Sequence, residues 1–155
     1  MSISSLERAI PAGSRILLDS STLIAYLNGG EAASDAATHV VDSLVRSGRN
    51  VAVISMVTVI EILIRPLRRA PEHYHHVLDF VTHFPNFQPQ PIDLAAAQEA
   101  AGVRARQGLP TSDAIVVATG LTAQVACLVT NDDRWRSIRD LRIKVVCLED
   151  HLPLT

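Results

Sequence analysis

The sequence is poor in aromatic side chains, which make up only 4% of its 155 residues although 48% of the chain is hydrophobic. The interior must therefore be filled by Ala, Val, Leu and Ile, a mixture that favours helices packed against a buried sheet. The length suits a single domain over residues 1–155, which we expect to have its core at about 15–148 and a short N-terminal tail.

Long apolar runs are also missing. No run reaches the roughly 18 to 20 residues that a membrane span needs, and the N-terminal stretch MSISSLERAIPAGSR lacks the basic start and apolar core of a signal peptide. We therefore expect a soluble, cytoplasmic protein with no membrane partner. The only two cysteines, Cys127 and Cys147, lie in apolar stretches, so neither a disulfide nor a zinc site is expected.

Lysine is nearly absent, since Lys144 is the only lysine among 14 basic residues. The formal net charge of -2 argues against a large basic surface that holds nucleic acid by phosphate neutralisation alone, but it leaves room for a local basic patch. Almost all the cations are guanidinium groups, whose planar forks suit carboxylate or phosphate.

Short apolar runs alternate with stretches of helical spacing, which predicts an α/β fold with a parallel sheet. The predicted strands are 16–18, 51–54, 125–129 and 143–148. The predicted helices are 22–27, 34–45, 56–64, 72–84, 94–106, 111–123 and 134–139. Ser34 and Ser55 are predicted N-caps, Pro71 fits a first helical turn and Gly108 a helix end. Three prolines in 84–91 allow at most a short edge strand there.

Acidic residues recur where loops at the carboxyl ends of the strands should converge. Asp19 follows the first strand at a strand-to-helix turn, although an N-cap role explains it equally well. Glu61 is the only charge in the apolar helix 56–64, so we expect it to meet water, a cation or a metal because burial of an unpaired carboxylate is expensive.

Two more acids fit the same edge. Asp113 stands in the first turn of a helix, where complementarity to the helix dipole is the alternative explanation. Asp132 and Asp133 follow the strand 125–129, where either could be only a cap. Crowded carboxylates repel each other unless a divalent cation neutralises them, and all-oxygen ligands select Mg²⁺ or Mn²⁺. Such an ion can promote hydrolysis of a phosphodiester.

Four motifs together resemble the ordered motifs of PIN domains, most closely those of VapC-type toxins of toxin–antitoxin pairs. They are LDSSTLI at 18–24, SMVTVIEIL at 55–63, LPTSDA at 109–114 and VTNDDRW at 129–135. The likeness spans roughly residues 15–148. It implies a three-layer α/β/α fold around a mainly parallel sheet, a homodimer, an RNA substrate and a cognate antitoxin protein.

The resemblance also implies roles for individual residues. Asp19, Glu61, Asp113 and Asp132 would be the catalytic acids that bind Mg²⁺ or Mn²⁺, with Asp133 a neighbour. Ser21 and Thr130 match hydroxyls that orient those acids or a metal-bound water. Arg104 matches a basic position that would contact phosphate or antitoxin, although a solvated helix face is equally compatible. Trp135 stands where the family commonly has Phe.

Several features admit other interpretations. Arg65, Arg68 and Arg69 form a small basic cluster after the helix of Glu61, where they could contact RNA. We expect the apolar positions around Met56, Ile60 and Ile64, and around Val41 and Leu44, to be core. His73 to His76 we interpret as an exposed helix face or partner surface instead of a metal site.

Three other functions compete with the ribonuclease. A receiver-type phosphoacceptor also gathers acids at this edge, but it needs paired acids after the first strand and a functional lysine after a later one. A PIN-type module that binds RNA or protein without cutting is disfavoured because all four acids are present. A structure-specific DNA nuclease would need additional acids and helices that this chain is too short to hold.

Overall fold

The computed structural model describes residues 3–152, in which strands and helices alternate as predicted. The strands are β1 (Arg15–Leu18), β2 (Val51–Ser55), β3 (Phe87–Gln90), β4 (Cys127–Thr130) and β5 (Lys144–Cys147). The α-helices are α1 (Ile3–Ala9), α2 (Ser20–Asn28), α3 (Ser34–Thr38), α4 (Met56–Arg69), α5 (Tyr74–His83), α6 (Leu94–Gln107) and α7 (Thr111–Thr122). A π-helical segment, His39–Val45, continues α3, and 3₁₀ turns cover Pro71–His73, Asp133–Ser137 and Leu148–His151.

The five strands form one parallel sheet in the order β3-β2-β1-β4-β5. The chain builds outward from β1 through β2 to β3, and later returns to the other side of β1 with β4 and β5. The direction of winding therefore reverses between β1 and β4, which is where open α/β sheets bind their ligands. In this register Leu18 is paired with Val129. The residues that follow them, Asp19 and Thr130, consequently meet at the carboxyl edge.

Helices cover both faces of the sheet, as the alternation of buried residues in β1 requires. Ile16 and Leu18 belong to one apolar cluster with residues of α1, α2, α3 and the π-helical segment, whereas Leu17 belongs to another with residues of α6 and α7. Val41 and Leu44 are buried in the first cluster, which confirms their predicted core position. The predicted three-layer α/β/α fold is confirmed.

The proline-rich segment 84–91 does contain an edge strand, β3, which pairs only with β2. Pro89 lies within it. A proline lacks the amide hydrogen that a strand with two neighbours would use, and an edge strand tolerates that loss. The prediction of a short edge strand is therefore confirmed.

The segment predicted as an N-terminal tail is helical over Ile3–Ala9. Leu6 and Ile10 are fully buried in the first apolar cluster. The predicted cap at Ser34 was wrong, because Ala33 holds the cap position and the Ser34 hydroxyl accepts a hydrogen bond from the Glu31 amide instead. The predicted cap at Ser55 and the helix end at Gly108 are confirmed.

The helix of Glu61 is longer than predicted, because α4 continues through Pro66 to Arg69. Pro66 removes one backbone donor, but its ring is buried, and packing of this kind routinely overrides local propensity. The expectation that Ile60 and Ile64 are core was wrong, since they are 57% and 38% exposed. None of the helices within residues 3–152 has the length and apolar character that a bilayer crossing requires.

Candidate acidic active site

Asp19 lies at the centre of the carboxyl edge and is only 6% exposed. It caps α2, because its Oδ1 accepts hydrogen bonds from the Thr22 amide at 3.0 Å and the Ser21 hydroxyl at 2.7 Å. Its Oδ2 accepts a short hydrogen bond from the Thr130 hydroxyl. Burial raises the pKa of the Asp19 carboxyl, and these hydrogen bonds act in the opposite direction. A cap alone does not require such a buried acid, so the capping explanation is true but incomplete.

Ser21 and Thr130 connect the start of α2 to the end of β4. The Ser21 hydroxyl accepts a hydrogen bond from the Asn131 amide at 2.8 Å and lies 3.3 Å from the Thr130 hydroxyl. The Thr130 hydroxyl, which donates to Asp19, accepts from the Asp132 amide at 3.0 Å. One hydroxyl thus links the carboxylate of Asp19 to the backbone amide of Asp132. For Asp19, this is the kind of support that orients a ligand carboxylate.

Asp132 caps the 3₁₀ turn Asp133–Ser137 by accepting a hydrogen bond from the Arg134 amide at 3.0 Å. Its carboxylate also accepts from the Arg134 guanidinium, at 3.1 Å from Nε to Oδ1 and 2.7 Å from Nη2 to Oδ2. This guanidinium lowers the pKa of the Asp132 carboxyl. The neighbouring Asp133 is exposed and pairs with Arg136 at 3.2 Å. The structure therefore assigns the two consecutive acids different partners.

The charges of Asp113 and Glu61 act on the same guanidinium from two other helices. Asp113 is half-buried in the first turn of α7, and Glu61 is exposed on α4. After the hydrogen bond and charge of Asp132, the negative charges of Asp113 and Glu61 also raise the pKa of Arg134. Glu61 is exposed to water, which is one of the three alternatives expected for it, so its carboxylate carries no burial cost. Three of the four predicted acids, Asp132, Asp113 and Glu61, thus act electrostatically on the guanidinium of Arg134.

The donors fit a hard divalent cation in their chemistry, since carboxylates and hydroxyls offer only oxygen. Their spacing is looser than coordination requires, because residues 3–152 contain no group of three or more Asp, Glu, His or Cys close enough to hold a metal ion. The guanidinium of Arg134 is paired with Asp132 at this edge, at 2.7 Å. Binding of an ion would therefore require the carboxylates to close in and Arg134 to withdraw.

Arg134 was not among the predicted site residues. A signal for it was present, because an arginine two residues after a capping Asp can fold back onto that carboxylate at the start of a turn. Trp135, the next residue, is 5% exposed and packs in the second apolar cluster, as expected for the position.

Within residues 3–152, none of the arginines predicted to contact RNA or antitoxin forms an ion pair with an acid of the site. Arg104 is exposed, and its Nη1 donates to the carbonyl of Leu109 at 2.8 Å, at the loop that leads to Asp113. Arg65 and Arg68 lie in the last turns of α4, not in a segment after it. Arg65 lines a groove with Ile24, Ile62 and other residues of α2 and α5.

The fold and the site together define a doubly wound α/β protein with acids, hydroxyls and one arginine at its switch point. The chain belongs to the PIN domain family, whose sequence model matches residues 16–141. No curated protein is significantly similar to the chain in sequence.

Solved toxin–antitoxin proteins share the fold. VapBC2 from Rickettsia felis, bound to a DNA fragment from its promoter, has a TM-score of 0.66 at 14% identity, over 85% of this chain and 98% of that one. DNA-bound VapBC from Salmonella typhimurium has a TM-score of 0.64 at 18% identity, over 87% and 98%. VapC20 from Mycobacterium tuberculosis, a toxin that cleaves the sarcin–ricin loop, has a TM-score of 0.62 at 16% identity, over 82% and 98%.

Proposed function

We propose that this protein is a metal-dependent endoribonuclease that acts in the cytoplasm as the toxin of a toxin–antitoxin pair. The observation that carries the proposal is the shared support of the acids at the switch point. Thr130 joins Asp19 to Asp132, and Arg134 joins Asp132 to the charges of Asp113 and Glu61. Membership of the PIN family supports hydrolysis of phosphodiester bonds as the class of reaction.

In this proposal the four carboxylates of Asp19, Glu61, Asp113 and Asp132 hold Mg²⁺ or Mn²⁺. The ion would polarise the phosphodiester and supply an activated water for in-line attack. The chain's own groups prepare the site. Thr130 and Ser21 fix the buried carboxylate of Asp19, which reduces the reorganisation that binding costs. The exposed Glu61 and half-buried Asp113 face the solvent side from which a nucleic acid can enter.

RNA is the preferred substrate among the alternatives. The fold is shared with the M. tuberculosis toxin that cleaves the sarcin–ricin loop. All four acids of the motif are present, which disfavours a binding module without activity. DNA is the second candidate substrate, because the described residues form few elements outside the three layers that could bind a branched duplex.

An antitoxin partner is supported by a groove between α2, α4 and α5. Its volume is about 410 Å³, and apolar side chains such as Ile62 and Val77 line it. Arg65, Arg69 and His73 also line it. An apolar groove with cations beside it suits an amphipathic partner segment that carries acidic residues. The solved VapBC proteins with this fold are toxin–antitoxin complexes, which also favours such a partner.

A second copy of the chain is the other proposed partner. Leu94 at the start of α6 is 75% exposed, and Ile92 just before it is 43% exposed. Exposed apolar side chains next to each other favour a protein interface. We propose that this surface belongs to the homodimer implied by the sequence motifs.

The test is cleavage of total RNA by the purified protein with Mg²⁺, with Mn²⁺ and with excess chelator. The variants are Asp113→Asn and Asp132→Asn, and the matched control is Asp133→Asn, whose carboxylate pairs with Arg136 instead. We expect discrete fragments from the wild type and the control, and none with chelator or from the two site variants. Intact RNA in every lane, with all proteins folded, would overturn the proposal and favour a binding module.

A further inference from the structure

A second charged feature lies beside the acidic edge. A hollow of about 660 Å³ separates the end of α6 from the segment after the 3₁₀ turn Asp133–Ser137. Arg106, Arg139 and Arg142 line it, and we refer to this cavity as the arginine hollow. The side-chain amide of Gln107 donates a hydrogen bond to the backbone carbonyl of Asp140 at 2.8 Å, and this bond joins the two walls. None of these arginines was predicted to have a role.

The charges of the arginine hollow are only partly neutralised. Glu99 accepts a hydrogen bond from Arg142 and lies 3.7 Å from Arg106, so it holds two guanidinium groups together. Arg139 is exposed and has no ion pair within residues 3–152. Two carboxylates stand against the three arginines, that of Asp140, which lines the hollow, and that of Glu99, which pairs with two of the arginines, so positive charge is in excess. Guanidinium forks match the oxygens of a phosphate.

Both walls of the hollow continue into the acidic site. The end of α6 leads through the short loop 108–110 to α7 and Asp113. The other wall begins with Ser137, the last residue of the five-residue turn that directly follows Asp132. A 3₁₀ turn of that length advances about 10 Å. The hollow therefore begins within a few nucleotides of the acids along a bound strand.

We propose that the arginine hollow binds a backbone phosphate of the RNA, a few nucleotides from the bond that is cut. The proposal rests on the proposed ribonuclease function and adds to it a second contact, which holds the substrate without taking part in hydrolysis. It also explains how a chain with a net charge of -2 binds a polyanion, since the positive charge is concentrated next to the acids.

The test measures binding separately from cleavage. A 5′-fluorescein-labelled single-stranded RNA of random sequence, about 20 nucleotides long to exceed the proposed span, is titrated with the Asp113→Asn protein in chelator. Fluorescence anisotropy gives Kd over a series of NaCl concentrations. Arg139→Gln is introduced into this background, and Arg8→Gln is the matched control. Arg8 is exposed at the end of α1, beside the amino ends of the strands and opposite the acids.

We expect Arg139→Gln to raise Kd about three- to tenfold and to reduce the slope of log K against log[NaCl] by about 0.7, as loss of one phosphate contact predicts. Arg8→Gln should change neither quantity. Equal effects of the two variants, or no effect of either, would overturn the arginine hollow as an RNA contact even if the wild type cleaves RNA. Failure of the Asp113→Asn protein to bind the RNA, together with intact RNA in the cleavage test, would overturn the ribonuclease function itself.

Discussion

The guanidinium of Arg134 holds the carboxylate of Asp132 through its Nε and Nη2 atoms, at distances of 2.7 to 3.1 Å. The two residues are separated by only one position in the sequence. Because Asp113 and Glu61 act on the same guanidinium, Arg134 supplies the positive charge that the acidic edge needs when no ion is bound. Under the proposed function, a divalent cation would compete with Arg134 for these carboxylates.

We expect Arg134→Gln to bind Mn²⁺ about two- to fivefold more tightly than the wild type, because an exposed ion pair of this kind is worth up to about 1 kcal/mol. Isothermal titration calorimetry of the metal-free proteins measures this directly. Arg8→Gln changes the net charge equally and should leave the affinity unchanged. Weaker binding by Arg134→Gln would show that the guanidinium organises the acids instead of competing with the ion.

Thr130→Val keeps the shape of the side chain but removes the hydroxyl between Asp19 and Asp132. We expect RNA cleavage to fall about 10- to 100-fold, the usual effect of losing a group that orients metal ligands. Thr130→Ser retains the hydroxyl and should recover most of the activity. If both variants were equally impaired, packing of the Thr130 methyl group, and not the hydroxyl, would be responsible.

Asp19 gives the stability of the metal-free protein a specific pH dependence. Its pKa is raised in the folded state, so the folded protein keeps this proton more readily than the unfolded chain. Stability is therefore lost as pH rises through the raised pKa, and Asp19→Asn escapes that loss. In chelator at about pH 7.5 we expect Asp19→Asn to melt a few degrees higher than the wild type.

The advantage of Asp19→Asn should shrink as pH is lowered towards the ordinary Asp range, because the wild-type carboxyl then becomes protonated too. Thermal melts at several pH values measure the difference. Asp35→Asn, at an exposed position of α3, is the control and should show no comparable trend. An advantage that stays constant with pH would mean that desolvation of the Asp19 charge is not its cause.

Two helical glycines should respond to alanine with opposite signs. A Cβ at Gly120 in α7 would lie 2.7 Å from Ile143 Cδ1 and 3.0 Å from Leu17 Cδ2, both in the packed core. We expect Gly120→Ala to destabilise the protein by about 1 kcal/mol, because overpacking outweighs the gain in helix propensity.

The three atoms nearest to a Cβ at Gly102 in α6 all belong to the guanidinium of Arg106, at the far end of a flexible and largely exposed side chain. Gly102→Ala should therefore stabilise the protein by up to about 1 kcal/mol. Urea unfolding of the two variants and the wild type measures both changes. Destabilisation of similar size in both variants would mean that the space around Gly120 is not what limits that position.

The sequence predicts the elements better than it predicts which of their faces are covered. The runs at β1, β2 and β4 are continuous and apolar because these strands are buried on both faces, and such runs are visible locally. The exposure of Ile60 depends on which other segments pack on α4, and no local pattern contains that information. The continuation of α4 beyond Pro66 also depends on tertiary packing, since burial of the proline ring outweighs the local tendency of proline to end a helix.

The candidate site residues could be chosen from their chemistry and their order along the chain. The hydrogen bonds that connect them could not be predicted in this way. Asp19 and Thr130 are 111 positions apart, and only the strand order places them together. Motifs identify which residue types matter, but they do not report that Asp19 is buried while Glu61 is exposed. The distances between the four acids could not be predicted from the sequence either, because they depend on Arg134 and on the packing of α4 against α7.

The position of β4 in the sheet has a consequence for the chain while it is being synthesised. The partner of Asp19 is Thr130, which lies 111 positions later, so the acidic edge is incomplete until Thr130 has been translated. A shorter nascent chain contains β1, β2 and β3, but one side of β1 then has no neighbouring strand. Since domains fold as their segments become available, a nascent chain on the ribosome would lack this site until β4 emerges.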